Sequence, residues 1–163
     1  MKKALLVILL CITAFITGCN FNPEPKEFSK DGITVTLTEA FKENDNDLHK
    51  VTYASTKVIF TGNYETLSDN LTLLEYATKC LSYGDEASDA TEYNDDVTSF
   101  VYGTYENTVE DVILTHDVTY KYMLICMKGE SGKYYCMNFG TTKDTFDDYK
   151  DQIFEWAKTI KVA

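Results

Sequence analysis

Residues 118–139 read VTYKYMLICMKGESGKYYCMNF. Two aromatic-rich runs, Val118 to Met127 and Lys133 to Phe139, stand on either side of Gly129-Glu130-Ser131-Gly132. β-Branched and aromatic residues flanking a polar quartet bounded by glycines form the pattern of a β-hairpin. A hairpin pairs its strands antiparallel, so the sheet expected here is antiparallel. Outward from it the same period recurs. Within Phe28 to Phe41, Ile33, Val35 and Leu37 alternate with Thr34, Thr36 and Thr38, which marks a half-buried strand. Val51 to Thr61 and Val97 to Tyr105 are further β-rich runs, whereas Asn107 to His116 shows no clear period.

Twice the period becomes helical. Ser68 stands where it can cap a helix carrying Leu71, Leu74, Ala77, Cys80 and Leu81, closed by Gly84. Asp144 or Thr145 can cap a second one, with Phe146, Tyr149, Ile153, Trp156, Ala157 and Ile160 at three-to-four spacing. The single tryptophan is thereby expected to dock the last helix onto the sheet. The order is mostly β with one internal and one terminal helix. An α+β domain follows, an antiparallel β-sheet flanked by helices.

Three segments carry a resemblance to a known family. They are Asp31-Gly32-Ile33-Thr34-Val35-Thr36-Leu37 followed by Phe41, the strands Tyr120-Lys121-Tyr122 and Tyr134 to Phe139, and the closing Tyr149 to Lys161. Together they resemble the small bacterial lipoproteins with a PsbP/Mog1/DcrB-like domain. The resemblance implies a central antiparallel sheet with helices on its faces, an α/β/α sandwich. Members of the group include an extrinsic subunit of photosystem II and a binding partner of the GTPase Ran. No catalytic residue set comes with the family.

The amino end is of a different kind. Lys2 and Lys3 precede an apolar run from Ala4 to Ile16, broken only by Thr13, and then Thr17-Gly18-Cys19. Spanning a bilayer takes about 20 apolar residues, so this run is too short; a charged start, short apolar middle and small-residue exit mark a processed export segment. Ile16-Thr17-Gly18-Cys19 resembles a lipobox, which implies cleavage after residue 18 and acylation of Cys19. The alternatives are an ordinary secretory signal or an uncleaved anchor helix. The expected organisation is a cleaved lipoprotein signal peptide over 1–18, a lipidated cysteine and tether over 19–27, and one domain over 28–163. Pro23 and Pro25 stiffen the tether. The protein is then expected on the extracytoplasmic face of the cell membrane, held through the lipid on Cys19.

Composition narrows the function. The chain has a formal charge of −11, and loss of Lys2 and Lys3 makes it two units more negative. Its cations are all lysine. Arginine is the usual residue for bidentate capture of phosphate, so its absence together with this charge argues against nucleic acid, anionic lipid and phosphate-rich ligands. His49 and His116, the two histidines, fall in expected loops with no metal-ligand spacing. Nucleophile elbows, dinucleotide fingerprints and phosphate loops do not occur. The chain is therefore read as a non-enzyme, with no cofactor and no metal site.

Asp45-Asn46-Asp47 imitates the start of an EF-hand loop, but Lys50 and Thr56 stand where glycine and glutamate are needed. Asp85, Glu86, Asp89, Glu92, Asp95 and Asp96 form an acidic connector without fixed geometry. Calcium or a small ligand is the alternative these acids keep open. Of five cysteines, Cys80, Cys126 and Cys136 belong to the domain. Cys80 reads as a small buried hydrophobe on a helix face. Cys126 and Cys136 flank the hairpin and become neighbours, and a possible disulfide, only if the register is right to one residue.

Twelve tyrosines and nine phenylalanines are the remaining unusual feature. Aromatics on a sheet build core, but tyrosine is also enriched at interfaces. Tyr120, Tyr122 and Tyr135 are the residues expected to form a protein-binding face. The function expected is a non-catalytic binding or accessory module of the cell envelope, with an envelope protein as partner.

Overall fold

A computed structural model describes residues 23–45, 48–68, 70–111 and 116–163. The export segment, Cys19 and the Asn46-Asp47 part of the EF-hand-like stretch lie outside the described residues. Two sheets and two α-helices are formed among the described residues. The small sheet comprises β1 (Pro25–Lys30), β2 (Ile33–Thr38) and β10 (Lys161–Val162), in the order β1-β2-β10. The large one contains β3 (Lys42–Glu43), β4 (Val51–Ala54), β5 (Ile59–Glu65), β6 (Thr91–Asn94), β7 (Ser99–Asp111), β8 (His116–Lys128) and β9 (Tyr134–Thr142). Its order is β3-β4-β5-β9-β8-β7-β6, antiparallel throughout.

The chain enters the sheet earlier than expected. β1 starts at Pro25 and pairs along its whole length with β2, so Pro25, Lys26 and Glu27 belong to a strand and not to a tether. β1 lies at the edge of the small sheet, where proline costs no ladder bond. Asp31 (φ 51°) and Gly32 (φ 79°) close this pair as a two-residue turn, the positive dihedrals matching the right-handed twist of the strands.

Two helices carry the chain across the large sheet. Helix α1 (Leu73–Leu81) links β5 to the far edge strand β6; helix α2 (Phe146–Ala157) links β9 to β10. The first cap is Thr72 rather than Ser68. Its hydroxyl accepts from the Glu75 N–H at 3.2 Å, and the Glu75 carboxylate accepts from the Thr72 N–H at 2.8 Å. That reciprocal box satisfies two orphan donors, and it leaves Leu71 outside the helix and Leu74 exposed. α2 follows a 3₁₀ turn at Lys143–Thr145 and ends before Ile160, which is buried nonetheless.

Strand alternation sends side chains to opposite faces. Phe60, Met123, Ile125, Met137 and Phe139 meet Ile33, Val35 and Leu37 of β2 and Phe146 and Ile153 of α2 in the main core. Trp156 docks α2 as expected, edge-on to Phe41 at 5.3 Å and 6.1 Å from Phe139. The other face carries nine-residue α1, through Tyr76, Ala77 and Leu81 on Val101, Leu124, Cys126 and Tyr134, with Leu67, Leu71 and Ala90 of the flanking segments packed beside it. The arrangement is an α+β fold with helical layers on both sides of the sheet.

Candidate functional site

The α1 face of the large sheet holds both the unusual chemistry and the exposed aromatics. Register decides its content. Tyr105↔Tyr122, Tyr122↔Gly140, Leu124↔Asn138 and Cys126↔Cys136 are direct cross-strand partners, so these residues share one face. α1 seats over its cysteine end. The Tyr134 hydroxyl donates to the Leu71 carbonyl, and the Tyr76 and Tyr134 rings meet at 4.8 Å. Farther along, helix α1 stops and tyrosines surface.

Tyr105 and Tyr122 stack at 5.0 Å with an interplanar angle of 12°, and Tyr120 stands 6.4 Å from Tyr122. All three are half-buried. The Tyr105 hydroxyl donates to Asn138 Oδ1 at 3.1 Å. Gly140 beneath makes room: a Cβ there would lie 2.4 Å from the Tyr122 ring. Burial pushes the phenols of Tyr105 and Tyr122 above their ordinary value, so both stay neutral.

Tyr135 does not join this face. It pairs with Met127 and Tyr64, is 1% exposed in the main core, and its hydroxyl donates to the Ala163 backbone oxygen at 3.0 Å. An odd position on β9 opposite an odd position on β8 points away from the even-numbered tyrosines. The expected grouping of tyrosines is thus corrected: Tyr120 and Tyr122 share a face with Tyr105, and Tyr135 lies in the main core.

Asn107 to His116, unreadable as sequence, contributes strand on both of its described sides. β7 and β8 pair from Val101↔Cys126 out to Asp111↔His116. β9 leaves off at Tyr120, and β6 pairs only Ser99–Tyr102. Beyond Glu106 and Tyr120 the described residues therefore form a two-stranded ribbon, with Thr108 and Thr119 hydroxyls bonded at 2.9 Å and Val109 46% exposed. Glu106 anchors its base. The carboxylate is buried, with Lys143 Nζ at 2.7 Å and Lys121 Nζ at 3.9 Å.

The remaining sequence candidates disperse. Asp95 accepts the Tyr93 hydroxyl and the Val97 and Thr98 N–H groups, and so builds a turn. Asp85 forms a bridge with Glu106, and Asp45 pairs with Lys30 at 2.6 Å. His49 Nδ1 accepts from the Asn63 side-chain amide at 2.9 Å, and burial lowers its pKa. Of the described residues, one set of three metal-ligating groups converges: Cys80, Cys126 and Cys136, whose Sγ atoms all lie within 4.8 Å of one another. All three are free thiols. The two strand cysteines were legible as possible neighbours, but Cys80 arrives from α1 and no spacing announces it.

Two surface grooves border α2. One, of about 620 Å³, runs between the helix and Tyr102 and Met123; the other, of about 480 Å³, lies between Trp156, Thr159 and β2. Both are open to solvent. No helix among the described residues is long and apolar enough to cross a membrane.

No family model matches the sequence, and no curated protein sequence matches it. Solved structures do. The cyanobacterial PsbP (CyanoP) of Synechocystis sp. PCC 6803 superposes over 91% of this chain and 99% of its own, with a TM-score of 0.57 and 15% identity. The fold is PsbP-like. LpqN of Mycobacterium tuberculosis, a protein involved in cell envelope biogenesis, superposes over 90% of this chain and 87% of its own, with a TM-score of 0.52 and 10% identity. At such identities the PsbP-like likeness is one of backbone, and side chains must carry any argument about function.

Proposed function

We propose that this is a lipid-anchored, extracytoplasmic accessory protein of the cell envelope that binds another envelope protein without catalysing a reaction. The observation that carries this reading is the uncovered part of the α1 face, where Tyr105, Tyr122 and Tyr120 lie half-buried beside a projecting ribbon. Tyrosine offers large apolar area with a polar tip and little side-chain entropy to lose, which suits a surface that is wet when free and dry when bound. The lipobox-like Ile16-Thr17-Gly18-Cys19 supplies the anchor in this reading. Involvement of the similarly folded LpqN in envelope biogenesis supports the location.

Photo-crosslinking on intact cells tests it, with probes at Tyr120 and Val109 and a remote control at Val97. One dominant envelope partner from the first two positions, lost in a Tyr105→Ser, Tyr122→Ser variant that remains folded, is the expected result. Equal background from all three positions would sink the proposal. The anchor is tested separately: Cys19→Ser is expected to move the protein from the membrane to the soluble fraction.

A further inference from the structure

The three thiols come together from three elements, Cys80 in the last turn of α1, Cys126 on β8 and Cys136 directly opposite it on β9. Cys126 is fully buried, and Cys80 and Cys136 are half-buried. Around them stand Tyr76, Ala77, Leu124 and Tyr134. The nearby Glu65 carboxylate is engaged by the Tyr76 hydroxyl at 3.0 Å and is not part of the converging set. Among the described residues no histidine, aspartate or glutamate supplies a fourth ligand at this spacing.

Three sulfurs with no histidine or carboxylate beside them among the described residues narrow the ligand. Soft thiolates select Cu(I), zinc or iron–sulfur clusters over hard cations. Zinc in proteins is almost always four-coordinate, so here a water would have to complete the shell under an apolar helix. The ferredoxin-type [2Fe–2S] and [4Fe–4S] clusters take four cysteine ligands. Cu(I), a monovalent d¹⁰ ion, is content with three thiolate ligands. We propose that Cys80, Cys126 and Cys136 form a trigonal thiolate site for Cu(I). This goes beyond the binding-module reading and stands independently of it.

Each thiol that binds the ion gives up its proton, so binding tightens as the pH rises.

The test uses the full-length chain in detergent, reduced and kept anaerobic, titrated with Cu(I) against a chromophoric Cu(I) chelator. One equivalent is expected to be retained, with X-ray absorption showing three sulfur neighbours. Cys80→Ser, at a half-buried helix position, is expected to keep the circular dichroism of the parent. It should weaken binding by more than the roughly 10–100-fold that follows loss of a supporting contact. Cys136→Ser supplies the same comparison should Cys80→Ser fail to fold. Retention no better than in these variants overturns the site. So does preferential uptake of Zn(II) with a nitrogen or oxygen neighbour, or recovery of the chain from cells with two of the three cysteines in a disulfide.

Discussion

Tyr135 and Tyr122 show what one position along a strand is worth. Both were readable as strand tyrosines, yet one is in the main core and the other is half-buried on the opposite face, because β8 and β9 pair with the parity that places Cys126 opposite Cys136. Parity also makes each tyrosine separately testable. Tyr135→Phe removes the hydrogen bond to the Ala163 backbone oxygen and is expected to cost about 1 kcal/mol in urea denaturation, with binding unchanged. Gly140→Ala sets a methyl 2.4 Å from the Tyr122 ring and must turn it outward. About 1–3 kcal/mol of stability is the expected loss, together with crosslinking through the tyrosine face. Unchanged crosslinking in a Gly140→Ala protein of lowered stability would show that Tyr122 is not part of the interface.

At the scale of elements, helix α1 decides how much of the sheet is open. Its nine residues begin at a capping box that a sequence reading centred on Ser68 misplaced by one turn; Thr72 holds the cap because Glu75 is three residues on and can return the hydrogen bond. Thr72→Ala is expected to cost about 1 kcal/mol and to raise amide exchange across Leu73–Leu81. The box also sets a pH dependence. The Thr72 N–H, and then its hydroxyl, hold the Glu75 carboxylate below its ordinary value. Its contribution is complete above the unfolded carboxylate pKa and is lost as the pH falls through the lower, folded value. Stability measured across that acid range should fall less steeply in Glu75→Gln than in the parent. The same range of scale holds the early start of β1, where prolines suggested a tether but an edge strand tolerates them.

Across the whole molecule the two helical crossovers, one on each side, leave the central strands protected and the β7–β8 ribbon dependent on itself. Hydrogen exchange is expected to be slowest in β5, β8 and β9 between Phe60 and Phe139, and fastest, among ladder amides, in Asn107–Val109 and Val118–Thr119. Uniform protection along β7 would mean that something covers the ribbon. Sequence alone determined the central strands and the two helical segments, the antiparallel hairpin, the α+β class and the acidic, arginine-free composition, since period and composition are local properties. Only the tertiary structure decided which tyrosines share a face, and that Cys80 closes on Cys126 and Cys136. Those depend on strand register and on where a helix crosses a sheet, contacts between residues far apart in the chain that no local pattern encodes.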